Sequence, residues 1–366
     1  MNKYWNCTHG LGGANSNSSK QGIPMESPKW VKNFWGKGSY TNPLISFGTS
    51  LYFISEDGYD SQSSPLLDID LITGDVNWNF SQLVISDYLP AISANKNYVV
   101  VSDKLLTAQG KEIEDLSELL TGYESLPNAP FHLGEKYIIR ALDHNKYPNK
   151  YFLYDLDSLD YKIVTLPVIG GELITGEDRV YGLMIDDDMN CKLACCSIDG
   201  DVIWETNGHL GMFVVNENIL LLTPESVGIY SKHNGKLLKK MSSIENKFSE
   251  EVIYSYNKSY SNDTIAFLSD DNLFVFSVIE DRLLFEIKDC EISYHCVSGD
   301  LIFTCQDKWN LVAYDRYSGE EVWGYSERYR WETLIASNNF LIAYCSTGDV
   351  VCFECHKHYI SPNRPK

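Results

Sequence analysis

The residues best suited to chemistry lie near the carboxyl end of the chain, in the sequence Cys352-Phe353-Glu354-Cys355-His356. Two cysteines separated by two residues and followed by histidine form the pattern to which haem c is attached. With His358, the same side chains offer four ligands of the kind that zinc accepts, but ligands this close in sequence make a poor tetrahedron. Haem attachment needs an accessible loop, whereas this motif falls at the end of a predicted strand. We therefore predict that these residues are structural.

Three further groups contain residue types that bind ligands. Cys195 and Cys196 are adjacent within a predicted strand, and acidic turns occur at 56–60 and at 186–190. Adjacent side chains of a strand point to opposite faces, so we expect the two thiols to pack in different parts of the core. Clustered carboxylates can hold Ca²⁺, but neither turn has the ligand order of an EF-hand. Both are predicted to be solvated turns.

The chain contains none of four common enzyme motifs. Gly-x-Ser-x-Gly, His-Glu-x-x-His, the Walker phosphate loop and the dinucleotide-binding Gly-x-Gly-x-x-Gly are all absent. The string Gly10-Leu11-Gly12-Gly13 follows no predicted strand and is therefore not expected to bind phosphate. The eight histidines are dispersed. Carboxylates that only the fold brings together would not be visible in the sequence, so a glycosidase-type pair stays open. We predict no catalytic, cofactor-binding or metal-binding residue.

Charge and composition restrict the class of partner. The formal net charge is −20, and the longest run of basic residues is Lys239-Lys240. Such a surface repels nucleic acid and anionic membranes and favours a basic protein partner. No apolar segment typical of a signal peptide begins the chain, and no apolar stretch reaches the length of a membrane helix. We therefore expect a cytoplasmic monomer with reduced cysteines.

The elements that must position these residues form a repeat. Seven segments combine an apolar strand, a polar turn and a second strand, among them DLITGDVNW (70–78), SIDGDVIW (197–204), YSKHNGKLL (230–238) and DRYSGEEVW (315–323). The turns contain Gly or Asp, which tolerate positive φ or cap their own backbone. The turn residues are Gly74, Gly110, Asp160, Gly200, Gly235, Asp281 and Gly319. Their average spacing is about 41 residues, the length of one four-stranded propeller blade.

The two ends of the chain complement each other in this scheme. Three strand signals follow Trp331, and the missing fourth is supplied by the segment 29–35, which ends in Trp35. We therefore predict an all-β fold, a β-propeller of four-stranded antiparallel blades, eight in number with seven as the alternative. The strand at 29–35 joins the carboxyl-terminal blade and closes the ring. A pair of stacked β-sandwiches is the competing architecture.

Three regions follow from this scheme. Residues 1–28 are polar and rich in Gly and Ser, which predicts a flexible amino-terminal arm. Residues 29–358 form a single propeller domain, and 359–366 form a carboxyl-terminal tail. The one stretch with a helical pattern is 111–120.

The turn segments resemble the pyrroloquinoline-quinone-type (PQQ-like) β-propeller repeat, which reads as an apolar strand, Asp-x-x-x-Gly, two or three residues and Trp. The segments 70–78 and 315–323 fit it, and 197–204 fits with a shorter turn. The resemblance implies that the Trp packs over the turn of a neighbouring blade. The family includes quinoprotein dehydrogenases, in which an adjacent cysteine pair contacts the cofactor, outer-membrane assembly scaffolds and cofactor-free binders.

Taken together, these features predict a non-enzymatic, protein-binding propeller without a cofactor, of the immunity or scaffold type, with a basic protein partner. The alternative is a quinone-dependent oxidoreductase, or another propeller enzyme whose active site lies in a central funnel. Cys195 and Cys196 are the residues on which the quinone alternative depends.

Overall fold

The computed structural model describes the protein over the following ranges: 5–7, 21–34, 44–55, 65–81, 92–101, 103–119, 131–133, 136–142, 149–168, 174–175, 179–185, 191–207, 212–215, 218–223, 226–241, 258–261, 263–269, 272–288 and 291–364. The chain divides into two compact units. Unit 1 comprises Met1, 9–85 and 243–366, and unit 2 comprises 2–8 and 86–242.

The described part of the chain is built almost entirely of strands. In chain order they are β1 (Trp5–Cys7), β2 (Gly22–Pro24), β3 (Trp30–Asn33), β4 (Leu44–Phe47), β5 (Ser50–Ile54), β6 (Leu66–Asp70), β7 (Val76–Phe80), β8 (Ile92–Ala94), β9 (Tyr98–Val101), β10 (Lys104–Thr107), β11 (Glu112–Asp115), the short helix α1 (Leu116–Leu119), β12 (Phe131–Leu133), β13 (Tyr137–Ala141), β14 (Asn149–Asp155), β15 (Asp160–Leu166), β16 (Ile174–Thr175), β17 (Arg179–Ile185), β18 (Cys191–Ser197), β19 (Val202–Asn207), β20 (Met212–Val215), β21 (Asn218–Thr223), β22 (Ser226–Ser231), β23 (Leu237–Met241), β24 (Lys258–Ser261), β25 (Thr264–Ser269), β26 (Asn272–Ser277), β27 (Arg282–Ile287), β28 (Ile292–Ser298), β29 (Leu301–Gln306), β30 (Asn310–Asp315), β31 (Glu321–Ser326), β32 (Trp331–Ser337), β33 (Phe340–Cys345) and β34 (Asp349–His358).

These strands form antiparallel sheets in which chain neighbours pair. Unit 1 contains β4–β7, β24–β27, β28–β31 and the sheet β32–β33–β34, whose last strand also pairs with β2 and β3. Unit 2 contains β12–β15, β16–β19, β20–β23 and the sheet β8–β11, to which β1 adds beside β8. The all-β prediction and the four-stranded unit are therefore confirmed. The predicted helical stretch contains β11 and a single turn of helix.

The repeated hairpin turn owes its geometry to its first residue. One carboxylate oxygen of Asp70 accepts the backbone N–H groups of Ile72 and Thr73, both at 2.8 Å. The Asp70 carbonyl accepts the N–H of Gly74 at 2.7 Å, and Gly74 has φ +74°. A side chain that caps its own turn, followed four residues later by a residue tolerating positive φ, is what the Asp-x-x-x-Gly pattern encodes. The turn after Asp315 repeats these contacts.

For one of the seven turns, the predicted positive-φ residue is one position too late in the sequence. Leu159, not Asp160, has positive φ (55°), and Asp160 is the first residue of β15. The reason is that Leu159 donates its N–H to the Asp155 carbonyl, as Gly74 does to Asp70, so the capping residue sets the position. The other predicted turn residues all have positive φ: Gly74, Gly110, Gly200, Gly235, Asp281 and Gly319.

Aromatic side chains of outer strands pack on the glycines of neighbouring turns, as the repeat implies. The indole of Trp30 lies so close to Gly74 that a Cβ there would be 2.7 Å from the ring, and its Nε1–H donates to the Leu71 carbonyl at 3.0 Å. Only glycine leaves room for this contact. Equivalent pairs are Trp204 with Gly235 and Phe285 with Gly319.

Gly74→Ala is expected to lower the free energy of unfolding by about 2–4 kcal/mol, since it combines positive-φ strain with overpacking against the Trp30 ring. The matched control is Gly48→Ala. Gly48 has a similar φ of +61°, but a Cβ there would meet no atom within 4 Å. Gly48→Ala should lower the free energy of unfolding by about 1–2 kcal/mol, because it introduces only the backbone strain. Urea denaturation of both variants tests the difference, and equal losses would show that the ring contact contributes nothing.

Two described strands lie within the segment 1–28, for which the sequence predicts an arm. Trp5–Cys7 pairs with Ile92–Ala94, and β2 pairs with β34 through Gly22↔His358 and Pro24↔Cys355. Strands of three residues are too short to change the average polarity of a Gly- and Ser-rich segment, which explains why composition did not reveal them. The predicted strand at 29–35 is present as β3, and its residues Trp30–Asn33 pair with 349–352 of β34.

Candidate functional site

The adjacent cysteines of β18 point into two different apolar clusters. Cys196 packs in the cluster that contains Tyr151 and Val180, whereas Cys195 packs in the one that contains Trp204. Both are fully buried, and burial raises the pKa of Cys196 to about 12. The expected alternation along the strand is thus confirmed. The two thiols enter different clusters, unlike the adjacent cysteine pair that contacts the cofactor in quinoprotein dehydrogenases.

The cysteines of the haem-like motif are also core residues. Cys352 and Cys355 lie in β34, are buried, and have free thiols whose pKa values burial raises, that of Cys355 to about 12. The Gln21 amide donates to the Cys355 sulfur at 2.9 Å. His356 and His358 are exposed. The two cysteines and the two histidines therefore do not share one environment in which they could hold a metal together.

Several sequence predictions fall outside the described residues, namely the acidic turns at 56–60 and 186–190 and the string at 10–13. Within the described ranges, no three His, Cys, Asp or Glu side chains are grouped as a metal site requires. The same ranges contain no helix long and apolar enough to cross a membrane.

Among the described residues of unit 1, a buried arginine is held between two carboxylates. Arg316 follows β30, and its side chain is only 1% exposed. Its Nη1 lies 3.1 Å from Asp263 Oδ1, its Nη2 lies 3.3 Å from Asp300 Oδ1, and Nη2 also donates to the Tyr317 hydroxyl. The three hairpin turns that carry these residues therefore meet at one polar cluster. A buried charge is tolerated only with such partners.

The described part of the predicted carboxyl-terminal tail, 359–364, is bound to this cluster. The Tyr359 hydroxyl donates to Asp315 Oδ2 at 2.7 Å, and the Ser361 N–H donates to Asp300 Oδ2 at 3.1 Å. Arg364 Nη1 is 3.8 Å from the same Asp300 oxygen, and Ser361 is 4% exposed. Segment 359–364 thus packs against the turns of the sheet β28–β31.

These contacts keep Asp315 ionised. Burial raises the pKa of Asp315, but the hydrogen bonds from Ser361, Tyr359 and the backbone N–H groups of Ser318 and Tyr317 outweigh it, and the pKa falls below its ordinary value. For Tyr359, burial and the bond to Asp315 both raise the pKa. The site therefore holds fixed charges in fixed positions. Its carboxylates and guanidinium can thus hold a polar segment of the chain in place.

Sequence reasoning missed this cluster, although one signal could have revealed it. The residue after the capping residue is apolar and buried in three other repeats, as Leu71, Leu156 and Val278. Arg316 occupies the same position in its repeat. An arginine at a position where these three repeats bury an aliphatic side chain indicates that the fold supplies carboxylates nearby.

An open groove of about 490 Å³ lies elsewhere in unit 1. Its lining includes Lys29, Glu354, Ile72, Asn338 and Phe340. Lys29 and Glu354 form an ion pair at 2.5 Å, and the Asn338 amide donates to the Gly48 carbonyl. Its charged groups thus neutralise each other, and the groove has no convergent set of polar groups typical of a ligand site.

His295 is a buried titratable group of β28. Its Nε2–H donates to the Ala266 carbonyl at 3.1 Å, and burial lowers its pKa to about 4 despite this bond. The folded protein therefore keeps His295 neutral at pH values where an unfolded chain would protonate it.

This burial predicts a loss of stability at acid pH. Because the folded pKa lies below the unfolded value of about 6.5, the unfolded state binds more protons, and stability falls as pH drops from about 6.5 to about 4. The shift corresponds to about 3 kcal/mol. His295→Gln should retain a donor to Ala266 and lose this component. Urea denaturation of both proteins at pH 7.5 and pH 4.5 measures it, and identical pH dependence would contradict the assignment.

Comparison with known proteins shows the fold class. No family model matches the chain, and no curated protein matches it in sequence. Among solved structures, BamB from Moraxella catarrhalis is 12% identical with a TM-score of 0.56, covering 91% of this chain and 100% of that one. The computationally designed Ika8 protein is 11% identical with a TM-score of 0.57, covering 92% and 99%. At this identity the likeness concerns the fold alone, and the fold that the neighbours support is the β-propeller.

Proposed function

We propose that this chain is a non-enzymatic, protein-binding β-propeller of the PQQ-like repeat type. The likeness to BamB over nearly the whole chain is the observation that carries the proposal, since it supports the propeller fold, and the binding role is our inference from that fold. The burial of Cys195, Cys196, Cys352 and Cys355 supports it further, because the residues best suited to chemistry are part of the core.

The finer architecture belongs to the same proposal. We propose eight blades in one domain over 29–358, with the ring closed where β3 joins β34. Eight sheets among the described residues, the pairing of Trp30–Asn33 with 349–352 and the packing of Trp30 on Gly74 support it. A ring locked in this way presents loops on a rigid scaffold, which lowers the entropy cost of binding.

The partner that we propose is a basic protein. The support is the net charge of −20, which attracts a basic surface and raises the rate of encounter. A cytoplasmic monomer of the immunity or scaffold type, which binds neither nucleic acid nor membranes, fits this charge.

The experiment is affinity capture of native partners by the full-length protein at 50 mM and at 500 mM salt. We expect a stoichiometric basic protein at low salt and much less of it at high salt, because screening weakens long-range attraction. In parallel, thermal unfolding is followed with pyrroloquinoline quinone and Ca²⁺. A thermal shift with the quinone, together with no stoichiometric partner, would overturn the proposal in favour of an oxidoreductase.

A further inference from the structure

Strand β23 and the turn before it carry a charge opposite to that of the whole chain. From Ser231 to Met241 there are four lysines, one histidine and no carboxylate, in a protein of net charge −20. Leu237 and Leu238 are 46% and 55% exposed, and the flanking Lys236 and Lys240 are exposed as well. The segment therefore displays an apolar pair between basic side chains.

This strand lies at the edge of its sheet. It pairs with Val227–Tyr230 of β22, and within the described ranges no strand pairs with its other side. The register shift in this pair leaves Leu238 without a cross-strand partner. The backbone N–H and C=O groups along such an edge can accept an added strand.

The turn before β23 is already ordered. Trp204 donates its Nε1–H to the Lys232 carbonyl at 3.2 Å, and its ring packs so closely on Gly235 that a Cβ there would be 2.3 Å away. A partner that binds here does not have to order this turn, which lowers the cost of association.

We propose that β23 and its turn bind an extended acidic segment of another protein, which adds as a strand along the free edge. Its carboxylates would face Lys232, Lys236 and Lys240, and its apolar side chains would cover Leu237 and Leu238.

Two other occupants fit less well. A second copy of this chain, paired edge to edge, would bring lysines against lysines. An anionic bilayer would be repelled by the net charge of −20 and offers no strand to pair with the free backbone groups.

The test uses the full-length protein and a fluorescent peptide, Glu-Val-Glu-Val-Glu-Ile-Glu, followed by anisotropy at 50 mM salt. The variant Lys236→Glu/Lys240→Glu should weaken binding by about tenfold or more. The control, Lys96→Glu/Lys111→Glu, changes the net charge equally; both residues are exposed in unit 2, and Lys111 follows Gly110 as Lys236 follows Gly235. Its binding should stay close to that of the unmodified protein.

Two further probes distinguish the mode of binding. The same peptide with alternate backbone amides methylated should bind weakly, because an added strand needs those donors. Vesicles containing phosphatidylserine should not bind, and sedimentation should show one monomeric species for all proteins. Equal peptide affinity in the two double variants, binding of the methylated peptide, vesicle binding that requires Lys236 and Lys240, or a dimer that they support would each overturn the proposal.

Discussion

Replacing Arg316 with alanine is expected to lower the free energy of unfolding by about 3–5 kcal/mol. The side chains of Arg316 and Asp300 are 1% and 4% exposed, so the change leaves a buried carboxylate whose remaining cation, Arg364, is 3.8 Å away and half exposed. Asp263 loses its partner at 3.1 Å as well. The penalty arises mainly from desolvated charge that has lost compensation, more than from the attraction of the intact pair. Urea denaturation measures it.

A matched arginine on the surface provides the control. Arg282 pairs with Glu280 at 2.6 Å, but its side chain is 53% exposed. Arg282→Ala should cost less than about 1 kcal/mol, because exposed ion pairs contribute little. Adding Asp300→Asn to Arg316→Ala should recover part of the loss by removing the uncompensated charge. If the two arginine variants lose the same free energy of unfolding, the buried ion pairs of Arg316 contribute no more to stability than an exposed pair does.

The hairpins of this fold were accessible to sequence reasoning because the information that determines them is local. Gly74 and Gly319 stand four residues after the aspartates that cap their turns, and both have positive φ in the structure. The error at Asp160 has the same origin. The composition of the turn favoured Asp, whereas the hydrogen bond to Asp155 selects the fourth residue, Leu159. Counting from the capping residue would have placed it correctly.

The polar cluster was inaccessible for the opposite reason. The cluster brings together residues that are far apart in sequence. They meet only because neighbouring sheets bring their turns together, and they are Asp263, Asp300, Arg316 and Ser361. No local pattern encodes that meeting. The two thiols of β18 could be predicted in part. Alternation along the strand predicts that Cys195 and Cys196 point to opposite faces, but it does not predict which clusters they enter.

Trp30→Ala is expected to lower the free energy of unfolding by about 3–5 kcal/mol. Trp30 is 8% exposed, its ring covers Gly74, and its indole donates to the Leu71 carbonyl at 3.0 Å. Its backbone pairs with Cys352 in β34. Trp30 thus connects the last sheet, through its backbone, with the turn that follows β6, through its ring, and removal of the ring leaves a cavity over Gly74.

Trp309→Ala is the control, since its side chain is 47% exposed and its carbonyl, which accepts the Trp331 indole N–H, is retained. Trp309→Ala should lower the free energy of unfolding by less than about 1 kcal/mol. Trp30→Phe keeps an aromatic ring over Gly74 but leaves the Leu71 carbonyl without this donor, so an intermediate loss of about 1–3 kcal/mol is expected. If β3 also closes the ring, Trp30→Ala should make the segment 21–34 sensitive to protease, and Trp309→Ala should not. Similar stability and protease resistance in the two alanine variants would rule out this strand as the closure of the propeller.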